Sequence, residues 1–246
     1  MMIRFLALVV IFWGFNIERS FAVDDCVVLL HGLARTANSM KRIESFLDQA
    51  GFRVVNVNYP SRSDAIPDLA ESAVKSGIEQ CQEEELARIN FVTHSLGGIL
   101  VRYYLKNNRL ENLGRVVMLG PPNQGSELVD QLGSIPGFEL LNGPSSVQLT
   151  TGSQWLLDEL GPVEFELGVI AGNRSINPFY SSLIPGDDDG KVSISSTRVD
   201  GMAQHIELPV THTWMMFNRT VLEQIVEFLT YGSFKQEQVQ LGSSIN

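Results

Sequence analysis

The chain alternates short apolar runs with longer stretches in which apolar residues recur at helical spacing. The short runs predict six strands. They span residues 26–32, 52–60, 88–95, 114–122, 165–172 and 204–210. Most of them are continuous apolar blocks rather than strict alternations, which is typical of strands covered by helices on both faces of a parallel sheet.

Helical patterns lie between these runs. One helix is predicted from Thr36, a candidate N-cap, to Gly51. Further helices are predicted over 64–80, 96–106 and 218–232. The alternation predicts an α/β fold with a doubly wound, mostly parallel sheet of about six strands.

One stretch breaks this rhythm. Residues 121–164 are rich in Gly, Pro and Ser and exceed what a plain crossover needs. Long insertions of this kind are usually lids or binding loops, so we expect a lid-like insert at 121–164 within a single domain spanning 23–232. The polar tail 233–246 is expected to fray.

The first residues predict a secretory signal peptide over 1–22. Arg4 supplies positive charge, an apolar run of eleven residues spans 5–15, and Ser20 and Ala22 fit a cleavage site after Ala22. The alternative is a membrane anchor, but the run is shorter than the roughly 20 residues that a bilayer core requires. We therefore expect export to the periplasm or the medium, without stable membrane insertion after cleavage.

The net charge of the chain disfavours some classes of binding partner. Residues 1–22 hold two of the 18 basic and one of the 28 acidic residues, so the remaining chain has a net charge of −11. Such a chain repels a phosphate backbone, which disfavours nucleic acid as a partner. The same sign disfavours binding driven by anionic lipid.

The remaining chain has two cysteines, Cys26 and Cys81. An oxidising compartment permits a disulfide. Cys26 precedes a predicted strand and Cys81 lies near the end of a predicted helix, and both positions fall at the amino edge of the sheet. We expect the two to be bonded, the alternative being two free thiols.

Ser95 lies in Thr93-His94-Ser95-Leu96-Gly97, between a predicted strand and a predicted helix. A sharp turn there would expose the serine side chain above the sheet, as in the G-x-S-x-G nucleophile elbow. Thr93 stands where glycine is usual, and the small Gly97 and Gly98 could relieve the crowding. An ordinary Ser-Gly turn is the alternative interpretation.

Two amides are expected to stabilise an oxyanion. That of Leu96 begins the helix after Ser95, and that of Leu33 follows His31-Gly32 at the end of the first strand. His31 has no evident carboxylate partner, so we expect a structural role for it.

A serine nucleophile needs a base and an orienting acid. His212 follows the last strand at the carboxyl edge, and position and elimination favour it over the other histidines. For the acid we choose Asp189, with Asp187 and Asp188 as alternatives. A solvated turn or a calcium loop is the competing interpretation, but the spacing lacks the outer ligands of an EF-hand.

The motifs together resemble the α/β-hydrolase superfamily, in particular small bacterial lipase- and esterase-like members. The segments that carry the resemblance are "HGL", "THSLGG", "LGPPNQGSEL", "DGKVS" and "HTWMM". The resemblance implies Ser95, Asp189 and His212 as a catalytic triad in the order of that fold and Leu33 and Leu96 as the oxyanion hole. It also implies that the segment 122–126 borders the pocket.

We therefore expect hydrolysis of a small-molecule or lipid ester, without a cofactor or a metal. Apolar residues of the insert could shape an acyl pocket or simply form a core for the insert; these are Leu132, Ile135, Phe138, Leu140, Leu141 and Trp155. Acyl transfer or amide cleavage on the same triad is an alternative, since acceptor choice depends on the pocket. A non-catalytic binding module on a hydrolase scaffold is a further alternative.

Overall fold

The structure is a computed structural model that describes residues 25–82, 88–153 and 158–235. The predicted signal peptide 1–22 and most of the predicted tail, 236–246, lie outside the described residues. What the sequence indicates for these two segments stays a prediction.

Six strands form one sheet in which every neighbouring pair is parallel. In chain order, β1 to β6 span Asp25–Leu30, Arg53–Val57, Arg88–His94, Leu113–Leu119, Leu167–Gly172 and Gln204–Leu208. Each overlaps its predicted run, so the predicted doubly wound, parallel sheet is confirmed.

The strand order is β2-β1-β3-β4-β5-β6. β2 lies on one flank of β1, whereas β3 lies on its other flank and is followed outwards by β4, β5 and β6. The carboxyl ends of β1 and β3 therefore form a topological switch point, where open α/β sheets leave a crevice that can hold a ligand. The loop carrying Leu33 and the turn carrying Ser95 leave the sheet at this crevice.

Nine α-helices can be assigned within the described ranges, several of them a single turn. In chain order, α1 to α9 span Lys41–Gln49, Ile66–Leu69, Lys75–Gln82, Leu96–Asn107, Glu127–Leu132, Phe138–Asn142, Pro144–Val147, Pro178–Ser181 and Arg219–Tyr231. A π-helical turn, Ala70–Val74, joins α2 to α3. Short 3₁₀ turns span Ala37–Met40, Ser195–Thr197 and Met215–Phe217.

The long helices follow their predicted patterns, but the first begins differently. Thr36 has an extended backbone and makes no capping hydrogen bond through its side chain. The chain enters α1 through the 3₁₀ turn Ala37–Met40 instead. Thr36 is thus the N-cap residue of this 3₁₀ turn rather than of α1, and its carbonyl accepts from the Ser39 hydroxyl at 2.8 Å.

The sheet separates two apolar cores. Alternate residues of β1 point to opposite faces, so Val28 packs with α2, α3 and α4 while Val27 packs with α1 and α9. Both faces are thus covered by helices, which explains why the strands are apolar throughout. Burial on both sides makes the sheet a rigid support for the loops at its carboxyl edge.

A disulfide joins Cys26 of β1 to Cys81 of α3, with 5.9 Å between their Cα atoms. The predicted bond is confirmed. It closes a loop of 55 residues, for which chain-entropy arguments give a stabilisation of about 4 kcal/mol. Within the described ranges, no helix has the length and apolarity needed to cross a bilayer.

Candidate active site

Ser95 occupies the turn between β3 and α4 with a strained backbone. Its φ is +54° and its ψ is −122°, a conformation that residues other than glycine rarely adopt. Ser95 is partly exposed, whereas its neighbours His94 and Leu96 are buried. The turn therefore presents the serine side chain at the carboxyl edge of the sheet, as a nucleophile elbow does.

Two glycines let α4 approach the sheet at this turn. A Cβ on Gly97 would lie 2.6 Å from the carbonyl oxygen of Leu30 in β1. A Cβ on Gly98 would lie 3.2 Å from Oγ1 of Thr93. Gly98 thus provides the room that Thr93 needs in place of the usual glycine, as the sequence predicted.

The loop after β1 places the Leu33 amide beside this turn. A Cβ added to Gly32 would lie 3.1 Å from the Ser95 Cβ, so the loop passes directly over the elbow. Ala34 has a φ of +54°, and its amide donates to the Ser61 hydroxyl at 3.0 Å. Among the hydrogen bonds of the described ranges, none uses the amide of Leu33 or of Leu96, so both donors remain available.

Asp189 and His212 are in direct contact. His212 Nδ1 lies 2.7 Å from Asp189 Oδ2, and both side chains are buried. The other carboxylate oxygen of Asp189 accepts the amides of Lys191 and Val192 at 3.0 and 2.9 Å. These bonds fix the carboxylate, and the Asp189 carboxylate in turn orients the imidazole with Nδ1 as the hydrogen-bond donor.

Asp187 and Asp188, the two neighbouring aspartates, do not contact His212 among the described hydrogen bonds. Asp188 Oδ1 accepts the amide of Gly190 at 2.6 Å and the Ser181 hydroxyl at 3.0 Å, which holds the turn. Asp187 is exposed. Among the three aspartates that the sequence left open, Asp189 is the one whose carboxylate contacts His212.

Gly120, directly after β4, leaves space for this pair. A Cβ there would lie 2.9 Å from Asp189 Oδ2 and 3.1 Å from His212 Nδ1, and the residue has a φ of +52°. A larger residue would therefore displace the acid or the imidazole. Sequence analysis did not indicate this role, because Gly120 is far from both partners along the chain.

The remaining histidines are held in structural contacts. His31 is buried, stacks on Tyr59 with 4.1 Å between ring centroids, and donates from Nδ1 to the Gly32 carbonyl at 2.9 Å. Burial lowers its pKa. His205 Nε2 lies 2.8 Å from the Thr197 hydroxyl. His94 packs against His212, with 4.7 Å between ring centroids.

Ser95 and His212 line the same cavity, which has a volume of about 320 Å³. Pro122 and Ser126, the ends of the segment expected to border the pocket, also line it. Between them, Asn123 is buried and accepts from Arg102 through its side-chain oxygen at 3.0 Å. The ends of this segment thus line the cavity, and Asn123 is held by Arg102 without lining it.

The insert contributes part of the apolar wall. Leu132 and Phe138 line the cavity. Ile135, Leu140 and Leu141 are instead exposed, with 52%, 89% and 69% of their surfaces accessible. Trp155 lies outside the described residues. The insert therefore divides into residues that line this cavity and exposed residues, of which Leu140 and Leu141 line a neighbouring open cavity.

Sequence reasoning missed four polar residues that line this cavity. They are Arg35, Asn142, Tyr180 and Lys191. Only proximity to predicted site residues could have indicated two of them, since Arg35 is two positions from Leu33 and Lys191 two from Asp189. In the parts of the chain that the structure describes, no group of three or more His, Cys, Asp or Glu side chains is placed to hold a metal ion.

Solved structures share this fold. The mature form of Bacillus licheniformis lipase BlEst2 superposes with a TM-score of 0.72 at 17% identity, over 85% of this chain and 93% of that one. A metagenomic carboxyl esterase gives 0.60 at 19% identity, over 78% and 65%. Aspergillus fumigatus lipase B gives 0.64 at 15% identity, over 90% of this chain and 57% of its own. These similarities show the α/β-hydrolase fold.

Sequence comparison places the chain more narrowly. No curated protein sequence matches it. The family model of palmitoyl protein thioesterases matches residues 26–160, more than half of the chain, including the elbow and the Leu33 loop but ending before Asp189 and His212. The chain belongs to the palmitoyl protein thioesterase family.

Proposed function

We propose that this protein is a serine hydrolase that cleaves carboxylic esters through Ser95, His212 and Asp189. One observation carries the proposal: a buried imidazole, held by a carboxylate at 2.7 Å, lines the same cavity as a serine in a strained strand-to-helix turn. An imidazole oriented by a carboxylate is what a serine needs as a general base.

The chemistry proceeds in two halves. Ser95 Oγ bonds to the ester carbonyl carbon as its proton passes to His212 Nε2, and the carbonyl oxygen becomes an oxyanion. The oxyanion then collapses, the bond to the alcohol oxygen breaks, and His212 returns the proton to the departing alcohol. Water repeats the sequence on the acyl-serine and releases the acid, which restores the hydroxyl of Ser95.

The amides of Leu33 and Leu96 are proposed to hold the oxyanion. The Leu96 amide is at the first turn of α4, where helix amides lack internal partners and the helix dipole favours negative charge. The Leu33 amide is fixed by the adjacent bond from Ala34 to Ser61. Donors positioned before reaction stabilise charge without reorganising, which is why such sites contribute strongly to rate.

The cavity supports an acyl substrate. Its volume of about 320 Å³ is at the low end for small-molecule sites. Its apolar wall comes mainly from the insert 121–164, which we propose acts as a lid or binding loop over the acyl chain. Leu128, Val129, Leu132 and Leu149 contribute apolar surface to this wall.

The decisive experiment compares Ser95→Ala with wild type on p-nitrophenyl esters of increasing acyl length. Turnover should disappear in Ser95→Ala while circular dichroism and the unfolding midpoint are retained. Ser72→Ala, an exposed serine outside the cavity, is the matched control and should keep wild-type rates. Retained turnover in Ser95→Ala would refute the proposal, and a folded wild type that does not react with a fluorophosphonate probe would favour a binding module.

A thioester is the second candidate substrate, because the matching family is named for palmitoyl protein thioesterases. The same triad can attack either carbonyl, so the difference lies in the leaving group. Matched oxygen and thioesters of one acyl chain would separate the two by kcat/KM. Product analysis with added alcohols or amines would reveal acyl transfer, and a matched amide would test amide cleavage.

We also propose that the protein is exported. The Cys26–Cys81 disulfide is compatible with an oxidising compartment. Mass spectrometry of protein recovered from the periplasm or medium should give an N-terminus at Val23. An intact Met1 on the recovered protein would contradict cleavage after Ala22.

A further inference from the structure

Positive charge lines the cavity that holds Ser95 and His212. Arg35 and Lys191 both contribute to its wall, and no Asp or Glu is among its lining residues within the described ranges. Arg35 and Lys191 both keep accessible surface, although Lys191 is partly desolvated by its surroundings, and the ion pairs within the described ranges involve neither of them. This local charge is opposite to that of the whole chain, whose net charge is −10.

A second cavity, of about 610 Å³, adjoins the first. The two share Ala34 and Arg35. Arg62 lines the second cavity together with the hydroxyl-bearing Ser61 and Ser63, and again no carboxylate side chain is among the described lining residues. Arg62 donates from Nη1 to the Leu141 carbonyl at 3.3 Å, which leaves its other guanidinium donors for a ligand.

The cations influence one another and the buried site. Desolvation, followed by the positive charge of Arg35, lowers the pKa of Lys191, and the negative charge of Asp189 opposes this shift. The charges of Lys191 and Arg35 also add to the lowering of the pKa of His94, after burial and His212. The positive charge of Arg35 affects Lys191 more than the negative charge of Asp189 does, so the two cations repel each other at the cavity, and a bound anion would relieve that repulsion.

We propose that Arg35, Arg62 and Lys191 form an anion-binding subsite that selects esters whose alcohol portion carries a carboxylate, sulfate or phosphate. The inference rests on the proposed function and names its substrate class. The apolar wall of the first cavity receives the acyl chain, and the charged group of the alcohol lies towards the second cavity. Guanidinium groups suit this role because their paired N–H donors match carboxylate and phosphate oxygens.

A pair of water-soluble esters tests the subsite directly. The butyryl ester of 4-hydroxybenzoate carries a negative charge, and the butyryl ester of methyl 4-hydroxybenzoate does not. Wild type should favour the charged ester in kcat/KM, mainly through KM, and added salt should reduce this preference. The salt series needs no variant, so it tests the proposal even if a variant does not fold.

Variants of the lining cations test whether the preference for the charged ester comes from this subsite. In Arg35→Gln/Lys191→Gln, the ratio of kcat/KM for the charged over the neutral ester should fall about tenfold or more, as expected for loss of charged hydrogen bonds. Lys41→Gln/Arg42→Gln removes the same two charges from exposed positions of α1 outside both cavities and should keep the wild-type ratio. Equal ratios in wild type and the double variant would overturn the proposal.

A second pair distinguishes a lipid headgroup from other anions. Mixed micelles of a neutral detergent with either a lysophosphatidylglycerol or the monoacylglycerol of the same acyl chain differ in the anionic phosphoglycerol group. A charge preference in both pairs assigns the subsite to anionic alcohols generally, and a preference in micelles alone assigns it to a lipid headgroup. No preference in either pair, with turnover still dependent on Ser95, overturns this inference alone, whereas turnover that survives Ser95→Ala overturns the proposed function.

Discussion

The Nε2 atom of His94 lies 3.0 Å from the carbonyl oxygen of His212. Because a carbonyl can only accept, the imidazole of His94 donates through Nε2. Burial lowers the pKa of His94 well below its ordinary value, so the ring is neutral and Nδ1 carries no proton. The residue before the elbow serine thus holds the backbone of the proposed base, which makes His94 a positioning residue.

This contact predicts a specific defect in His94→Phe. The ring is retained but the donor is lost, so the loop of His212 should no longer be fixed relative to Ser95. We expect kcat to fall about tenfold with KM nearly unchanged, as for loss of one hydrogen bond that matters in the transition state. Steady-state kinetics on one p-nitrophenyl ester would measure it. His94→Gln, which restores a side-chain N–H, should recover part of kcat; a merely structural role would raise KM or reduce stability in both variants.

The three adjacent aspartates provide a matched series. Asp189→Asn should reduce kcat by about three to four orders of magnitude, because an amide no longer favours the Nδ1–H tautomer of His212. Asp187→Asn, at an exposed position, should leave kcat within about twofold. Asp188→Asn should mainly lower stability, since its carboxylate holds the turn. Burst and steady-state kinetics with a chemical denaturation curve would rank them, and a larger kinetic defect in Asp188→Asn would reassign the acid.

Thr93 carries a hydroxyl that the fold does not use. Its Oγ1 is buried and has no hydrogen-bond partner among the described residues. Valine has nearly the same shape, so Thr93→Val should raise the free energy of unfolding by about 1 kcal/mol by removing an unsatisfied polar group. Urea unfolding would measure this change. A decrease in stability would mean that the hydroxyl has a partner, such as an ordered water.

Acid should weaken the fold before the carboxylates titrate. Desolvation lowers the pKa of buried His94 below the ordinary 6.5 and lowers that of His205 to about 4. As the pH falls below 6.5, the unfolded chain binds protons at these positions and the folded protein does not, so the free energy of unfolding decreases. His94 alone contributes a slope of about 1.4 kcal/mol per pH unit until its folded-state pKa is reached.

Urea unfolding at about pH 7.5, 6.5 and 5.5 would measure this slope. His205→Gln should make it shallower, since one of the titrating groups is removed. A midpoint that does not change between the higher and the lower pH would contradict the neutral state of these histidines.

Most of the fold could be predicted from the sequence, because strands and helices follow from the local spacing of apolar residues. Each predicted strand overlaps a strand of the structure, and Gly97 and Gly98 indicated where β3 and α4 approach each other. The 3₁₀ turn Ala37–Met40 between Thr36 and α1 was not predicted, because its spacing of apolar residues continues that of the helix. The π-helical turn at Ala70–Val74 was also missed, since its apolar positions fit an ordinary helix.

The sequence by itself determined the parallel sheet, the Cys26–Cys81 bond and the elbow at Ser95, because strand burial and turn chemistry depend on neighbouring residues. Only the tertiary structure decided which aspartate contacts His212, that Gly120 makes room for this pair, and that Arg35, Arg62 and Lys191 gather at adjoining cavities. These relationships join residues from loops after different strands. Their distances depend on how the strands are ordered and on how each loop turns, which spacing along the chain does not encode.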